Sequence, residues 1–471
     1  MRPSVFSDGR GYYAYLRSPL IDHNLRFASD WNSPPQKVLY DCKSCPPSAR
    51  KYWNHPANSL LFINLNGRIY ENPITKTGHL PNFYTVGPAM LWLPFVGAAH
   101  FAVLASNHWG SAIPADGHSW PYVFALSMAT AFYGFLGLYL AFQLAKKFVE
   151  ERWAFWATLG IWFASSLPSS MYVQPSWSHT HSAFAVALFL WYWHRTRASR
   201  TWRQWLYLGL ISGLMVDIYL ANGIFLLAPG VDCVLAYARS WRDPRALWAN
   251  LRLHLLFAAS AIAAFSPMLI TRQIVFGNPF TLGMYGNVAW NWTSPNFRAV
   301  LFSSKDGIFV CTPILLLAVL GLLALWRKNP SVGGICILLT TAFYALISFY
   351  PWWHGVYSFG NRFFISLTPI FVLGLAAAFS WAAQLWGDSR VAARRLVPVT
   401  VLLIVWNLGL VYQWSTYLFF PEGVGTVSWS EVLDNQIRVV PVQILHDLSS
   451  RFQFSHSAAT SRVETRKSAS L

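Results

Sequence analysis

Long apolar runs broken by short polar turns fill the chain from residue 88 to residue 420. A membrane-crossing helix needs about 20 largely apolar residues. Runs of that kind lie at 121–145, 153–173, 251–271, 308–326, 332–350, 363–386 and 396–420. Three further stretches, 88–106, 175–193 and 205–237, also read as helical, and the last is long enough to divide into two short helices at Ala221-Asn222-Gly223. The pattern predicts an all-α, polytopic integral membrane protein of ten or eleven transmembrane or re-entrant helices, with an outward-facing active-site region. Residues 1–87 precede this block as a polar region. Residues 421–471 follow as a polar tail whose Ser- and Arg-rich end is expected to be disordered.

Charge orients the helices, because Lys and Arg collect in cytoplasmic loops. Loops 146–152, 194–204, 238–252, 327–331 and 387–395 hold 16 of them, whereas the alternate loops 107–120, 174–181, 220–222, 272–307 and 351–362 hold 4. A miscounted helix would destroy this alternation, so it supports the division at Asn222 and places the tail outside. The chain is 55% hydrophobic and 11% charged, far below the roughly 25% charge of a soluble domain. A soluble enzyme is thereby excluded. The net charge of +17 sits in the loops as an orientation signal and does not point to nucleic acid. With 25 Trp and 17% aromatic residues, many helix ends are expected at the lipid headgroups.

Cys233, Cys311 and Cys336 stand singly in apolar segments as small hydrophobes. Cys42 and Cys45 are spaced for a local disulfide or for half of a zinc site that would have to recruit His55 or His79. Residues 1–50 hold no apolar stretch of signal-peptide or spanning length. If 88–106 spans, residues 1–87 and their ten Lys and Arg are cytoplasmic. If instead it is re-entrant or interfacial, broken by Pro88 and Pro94, they lie outside, and an earlier helix must carry the chain across.

Candidate chemistry gathers in the outward loops, since unsatisfied polar groups are costly in hydrocarbon. Asp8 lies within Ser7-Asp8-Gly9-Arg10-Gly11-Tyr12-Tyr13, followed by Asp22 and Asp30. A carboxylate there can act as a general base or hold a divalent ion, Mg or Mn, for which Asp8 is the candidate; equally, such Asp residues cap helices. His179 and His181, in Ser178-His179-Thr180-His181, suit phosphate contact better than metal ligation, or simple packing at a helix entry. The stretch Trp352-Trp353-His354-Gly355-Val356-Tyr357-Ser358-Phe359-Gly360-Asn361-Arg362 sets one cation among rings. Arg362 can grip phosphate, while Trp352, Trp353, His354 and Tyr357 suit a sugar or lipid pocket; an aromatic belt with one headgroup-facing Arg has the same composition. Asp217, inside an apolar run with Asn222 close by in sequence, is either an intramembrane functional carboxylate or a partly solvated one.

Taken in order, these stretches resemble the polytopic GT-C-type glycosyltransferases that use polyprenyl-phosphate sugars, in particular bacterial relatives of the protein mannosyltransferase group. The resemblance is carried by Asp8-Gly9 with Tyr12-Tyr13, Tyr84-Thr85-Val86-Gly87-Pro88-Ala89, Ser178-His179-Thr180-His181, Leu301-Phe302-Ser303 to Asp306-Gly307 with Thr312-Pro313, and Ser358-Phe359-Gly360-Asn361-Arg362. It implies a transferase in a bacterial plasma (inner) membrane, moving a sugar from an isoprenoid-phosphate donor to a lipid, glycan or protein acceptor on the outer face. It also implies that Asp8 is the acidic residue of the first outer loop, so that residues 1–87 lie outside. The helix that should precede Asp8 in that pattern is not in this sequence. A transporter or lipid flippase built around Asp217, and a noncatalytic membrane subunit, are the alternatives.

Overall fold

The computed structural model describes residues 4–27, 29–30, 75–282, 288–355, 358–416, 427–447 and 449, and the backbone of three strands at 37–39, 59–63 and 69–73. Cys42, Cys45, His55 and Tyr357 lie outside the described residues, as does the end of the tail.

The membrane portion is helical and follows the apolar runs. After α1 (Asp8–Arg17) come α2 (Gly87–His108), α3 (Trp120–Ala145), α4 (Glu151–Phe163), α5 (His179–Thr196), α6 (Trp202–Ile218), α7 (Leu227–Ser240) and α8 (Pro244–Phe276). Then follow α9 (Ile314–Lys328), α10 (Pro330–Phe349), α11 (Thr368–Leu385) and α12 (Ser389–Ser415). Among the described residues, seven helical segments are long and apolar enough to cross a membrane, one of them joining the Leu220–Leu226 turn to α7 and another the Arg362–Leu367 turn to α11. The helices from α2 to α12 number eleven, in keeping with the ten or eleven expected. The run 205–237 does break where Asn222 predicts, at a 3-10 turn, Leu220–Leu226. Asn222 is buried there, donating to Met215 O (2.9 Å) and accepting from Ser182 Oγ (2.9 Å). Outside the helical plan stands one antiparallel sheet, Lys37–Leu39, Ser59–Ile63 and Ile69–Pro73, in the order given.

Two runs expected as single helices are broken. The run 153–173 stops at Phe163 and resumes as a π turn, Ser169–Val173. Pro168 cannot donate a main-chain hydrogen bond, and Asn407 from α12 takes the vacated carbonyls of Phe163 (2.9 Å) and Ser165 (2.8 Å). The run 308–326 divides at Thr312-Pro313 into Ile308–Cys311 and α9.

The basic loops meet at one end. Lys328 Nζ donates to Phe148 O (2.6 Å), Arg197 Nη1 donates to Ser331 Oγ (2.6 Å), and Asp232 pairs with Arg197 and Arg200 at 2.9 and 3.4 Å. Loops of the basic-poor set touch one another at the other end, where Asn291 N donates to Phe349 O (2.9 Å) and Arg362 covers Trp177. The alternation of charge along the sequence is thus a separation of two faces.

In the bundle centre, α9 and α11 cross at small residues. A Cβ on Gly374 would lie 2.1 Å from Ala318 O, and one on Gly321 1.9 Å from Gly374 O. Contact this close lets backbones approach in a medium that offers little hydrophobic drive. Gly374→Leu should therefore destabilise the bundle by about 1–3 kcal/mol or more, read as a lowered melting temperature of the purified protein. Leu385→Ala, on the exposed face of the same helix, should leave it unchanged.

Candidate functional site

The site begins with a ten-residue helix that has little reason to stand alone. In α1, residues Gly9 and 11–17 are buried, Arg17 included. Two glycines allow this: a Cβ on Gly9 would lie 2.0 Å from Ser176 Oγ, and one on Gly11 1.8 Å from the Tyr84 ring. Seated so, α1 touches three loops of the basic-poor face. Tyr13 OH donates to Gly117 O (2.6 Å), Ser178 Oγ donates to Tyr12 OH (3.0 Å), and Asp8 Oδ2 meets Arg362 Nη2 at 2.8 Å. Asp8 opens the helix, where a carboxylate complements the helix dipole. The preceding Ser7 has φ of 50°, a strained conformation for a non-glycine residue.

Asp8, Arg362 and His179 line one cavity of about 140 Å³ with Tyr12, Phe83, Tyr84, Thr85, Tyr219, Tyr350, Trp352, Gly355 and Phe363. Tyr84 OH donates to Asp8 Oδ1 (3.0 Å). The Arg362 guanidinium lies 4.0 Å from the centre of the Trp177 ring, so its charge is held between an aromatic face and a carboxylate. Its Nε and Nη1 are buried and unpartnered, as is His179 Nδ1. Unsatisfied nitrogens on residues that line a cavity are suited to an anion. Burial and the neighbouring Asp8 push the Tyr12 hydroxyl well above the usual phenol range, so it stays neutral as a hydrogen-bonding group.

The other sequence candidates are placed elsewhere. Asp22 and Asp30 do not line the cavity; they pair with Arg17 at 2.6 and 3.6 Å. Arg17 Nε in turn donates to Asp116 O (2.8 Å), which ties α1 to the loop after α2. His181, two residues further along α5, is buried edge-on to Trp92 (5.1 Å). Trp353 packs on the main apolar core, and its carbonyl accepts from Asn361 Nδ2 (2.8 Å). His354 lies beside it, ring centres 5.7 Å apart. Asp217 is not paired with Asn222: its Oδ1 accepts from Val86 N–H (3.3 Å), just ahead of α2. Sequence reasoning passed over Trp177, Tyr219, Tyr350 and Arg272. Of these only Arg272, a cation at the edge of an apolar run, carried a signal.

A divalent ion such as Mg or Mn needs several oxygen donors. Among the described residues Asp8 is the one carboxylate lining the cavity, and both its oxygens are engaged. Among the described residues, too, no three His, Cys, Asp or Glu side chains group in a way that could hold a metal. These residues do not fit Mg or Mn held by protein ligands alone.

Burial lifts the Asp30 carboxyl to about 7, against the lowering effect of Arg17. The folded state therefore binds more protons than the unfolded one between the ordinary carboxyl range and pH 7. Stability contributed here is full below that range and falls as pH rises through the window. Melting temperature should drop from pH 4.5 to 7, and Asp30→Asn should flatten that dependence.

No family profile matches the chain, and no curated protein does. Among solved structures, it is similar to the archaeal oligosaccharyltransferase AglB from Archaeoglobus fulgidus, in complex with an inhibitory peptide and a dolichol-phosphate. Identity there is 14% over 88% of this chain, with a TM-score of 0.44, and the chain spans 53% of AglB's length. It is also similar to ArnT from Cupriavidus metallidurans in the apo state, 14% identical over 88% of this chain and 70% of that one, with a TM-score of 0.43.

Proposed function

We propose that this membrane protein is a GT-C-type glycosyltransferase. It moves a sugar from an isoprenoid-phosphate donor to a lipid, glycan or protein acceptor at the outer face of a bacterial plasma membrane. The observation that carries this reading is the pairing of Asp8 with Arg362 at 2.8 Å on a cavity that also exposes His179. One acid–base group and two residues that carry unpartnered nitrogens then line the same small space.

Asp8 accepts the proton of the acceptor hydroxyl as that oxygen bonds to the anomeric carbon and the bond from that carbon to the phosphate oxygen breaks. Negative charge develops on the departing lipid phosphate, where Arg362 and His179 stabilise it best because the site is poor in water. Trp352, Tyr350 and Phe363 give the sugar flat faces. Residues 4–27 belong to the outer face in this reading, since α1 seats on the basic-poor loops. The transporter alternative would work through Asp217, whose Oδ1 accepts from the main chain leading into α2 and whose Oδ2 is without a partner.

The test is transfer from a panel of polyprenyl-phosphate sugars by purified protein. Asp8→Asn should lower kcat by about 10² to 10⁴, and Arg362→Gln should raise KM for the donor as well. Full activity of Asp8→Asn would sink the assignment. Separately, Ser7→Cys, in a background without native Cys, should react with an impermeant maleimide from outside intact cells. Protection would put Asp8 on the cytoplasmic side and end this reading.

A further inference from the structure

One buried charge is unused by this mechanism. Arg272 is 1% exposed, near the C-terminal end of α8, a 33-residue helix. At 1.5 Å per residue α8 is about 50 Å long, whereas the hydrocarbon core is about 30 Å thick. Its last turns enter the apolar cluster that α1, α2 and α3 share, through Met268 and Val275.

A guanidinium so enclosed must find partners, and Arg272 finds three successive main-chain carbonyls. Nη1 donates to Asn82 O (3.0 Å), and Nη2 to Phe83 O (2.6 Å) and Tyr84 O (3.3 Å). Residues 82–86 form a strap without helix or strand between Arg272 and α2. Its far end is fixed by Thr85 Oγ1 on Ile218 O (2.9 Å) and by Asp217 on Val86 N–H. Its near end grips α1, through Asn82 Nδ2 on Gly11 O (2.9 Å) and Tyr15 OH on Asn82 O (2.7 Å). Tyr84 projects from the middle of the strap and donates to Asp8.

We propose that Arg272 is a positioning residue: by holding the carbonyls of residues 82–84 it sets the Tyr84 hydroxyl against Asp8 and aims that carboxylate into the cavity. The inference rests on the glycosyl-transfer reading for its functional consequence, though not for its geometry. Misplacing a reacting group by about 1 Å costs about 10²-fold in rate, and this is the size of effect expected.

Hydrogen–deuterium exchange on the detergent-purified full chain tests the geometry without substrate. Arg272→Gln should speed exchange in peptides covering 80–88 and also in those covering 5–12. Arg272→Lys, which keeps the charge but has fewer donors, should do so less. Acceleration confined to 80–88 would overturn the proposal. With polyprenyl-phosphate sugar as probe, Arg272→Gln should lower kcat about 10²-fold with donor KM unchanged. Arg272→Lys should recover part of the rate, and Arg272→Gln combined with Tyr84→Phe should be no slower than the slower single variant. Additive losses would mean a general structural role and overturn it equally. If Arg272→Gln does not assemble, the Arg272→Lys and Tyr84→Phe pair carries the same comparison. Wild-type protein that transfers no sugar would defeat the glycosyl-transfer reading, and exchange would still decide the role of Arg272.

Discussion

Bringing a carboxylate and a guanidinium together at the edge of a membrane requires four separate stretches of chain to meet. Asp8 comes from α1, Tyr84 from the strap before α2, Trp177 from the turn before α5 and Arg362 from the loop before α11. Removing two such ions from water costs several kcal/mol each, a cost that attraction between them offsets only with good geometry and added hydrogen bonds. The pair is therefore poor as glue. What it gains in stability comes from the Tyr84 hydrogen bond and the Trp177 face, and it still leaves two nitrogens of Arg362 without partners. An arrangement that is costly to enclose and incompletely satisfied is what a binding site looks like before its ligand arrives.

The support is polar and directional where the rest of the bundle is apolar and permissive. Helices from α3 to α11 meet through alanines, branched side chains and aromatic rings in one continuous core. Around α1 many of the contacts that set an angle are hydrogen bonds to main-chain atoms: Tyr13 to Gly117, Tyr15 to Asn82, Arg17 to Asp116, Arg272 to 82–84. Main-chain partners do not change when side chains drift, so this cap can hold its geometry across substitutions that leave glycines and these few donors intact.

Much of the bundle was legible because bilayer thickness and loop charge both leave a linear record. The division at Asn222 followed from counting Lys and Arg, and its physical cause is a side chain that satisfies a broken main chain. The breaks at Pro168 and Pro313 were less visible, since an apolar run looks the same whether its helix continues or bends. In the site, residue type pointed to Asp8, His179 and Arg362, yet it could not separate Asp8 from Asp22 and Asp30. Those three differ only in which cation each meets, and Arg17 is the partner of the last two. Asp217 and Arg272 likewise look functional as lone charges. Their partners are main-chain atoms, which carry no identity in a sequence.

The overshoot of α8 has a consequence for the membrane itself. Its first turns lie among the basic residues of loop 238–252, and its last turns hold the strap through Arg272. A straight helix does not stretch, so the separation between the basic end and the site is a property of the protein alone. Where bilayer thickness changes, lipid must deform or the whole body must tilt. The height of the cavity above the hydrocarbon then varies, while the distance from Asp8 to Arg362 does not. The helix acts as a ruler, and the membrane is the part that is measured against it.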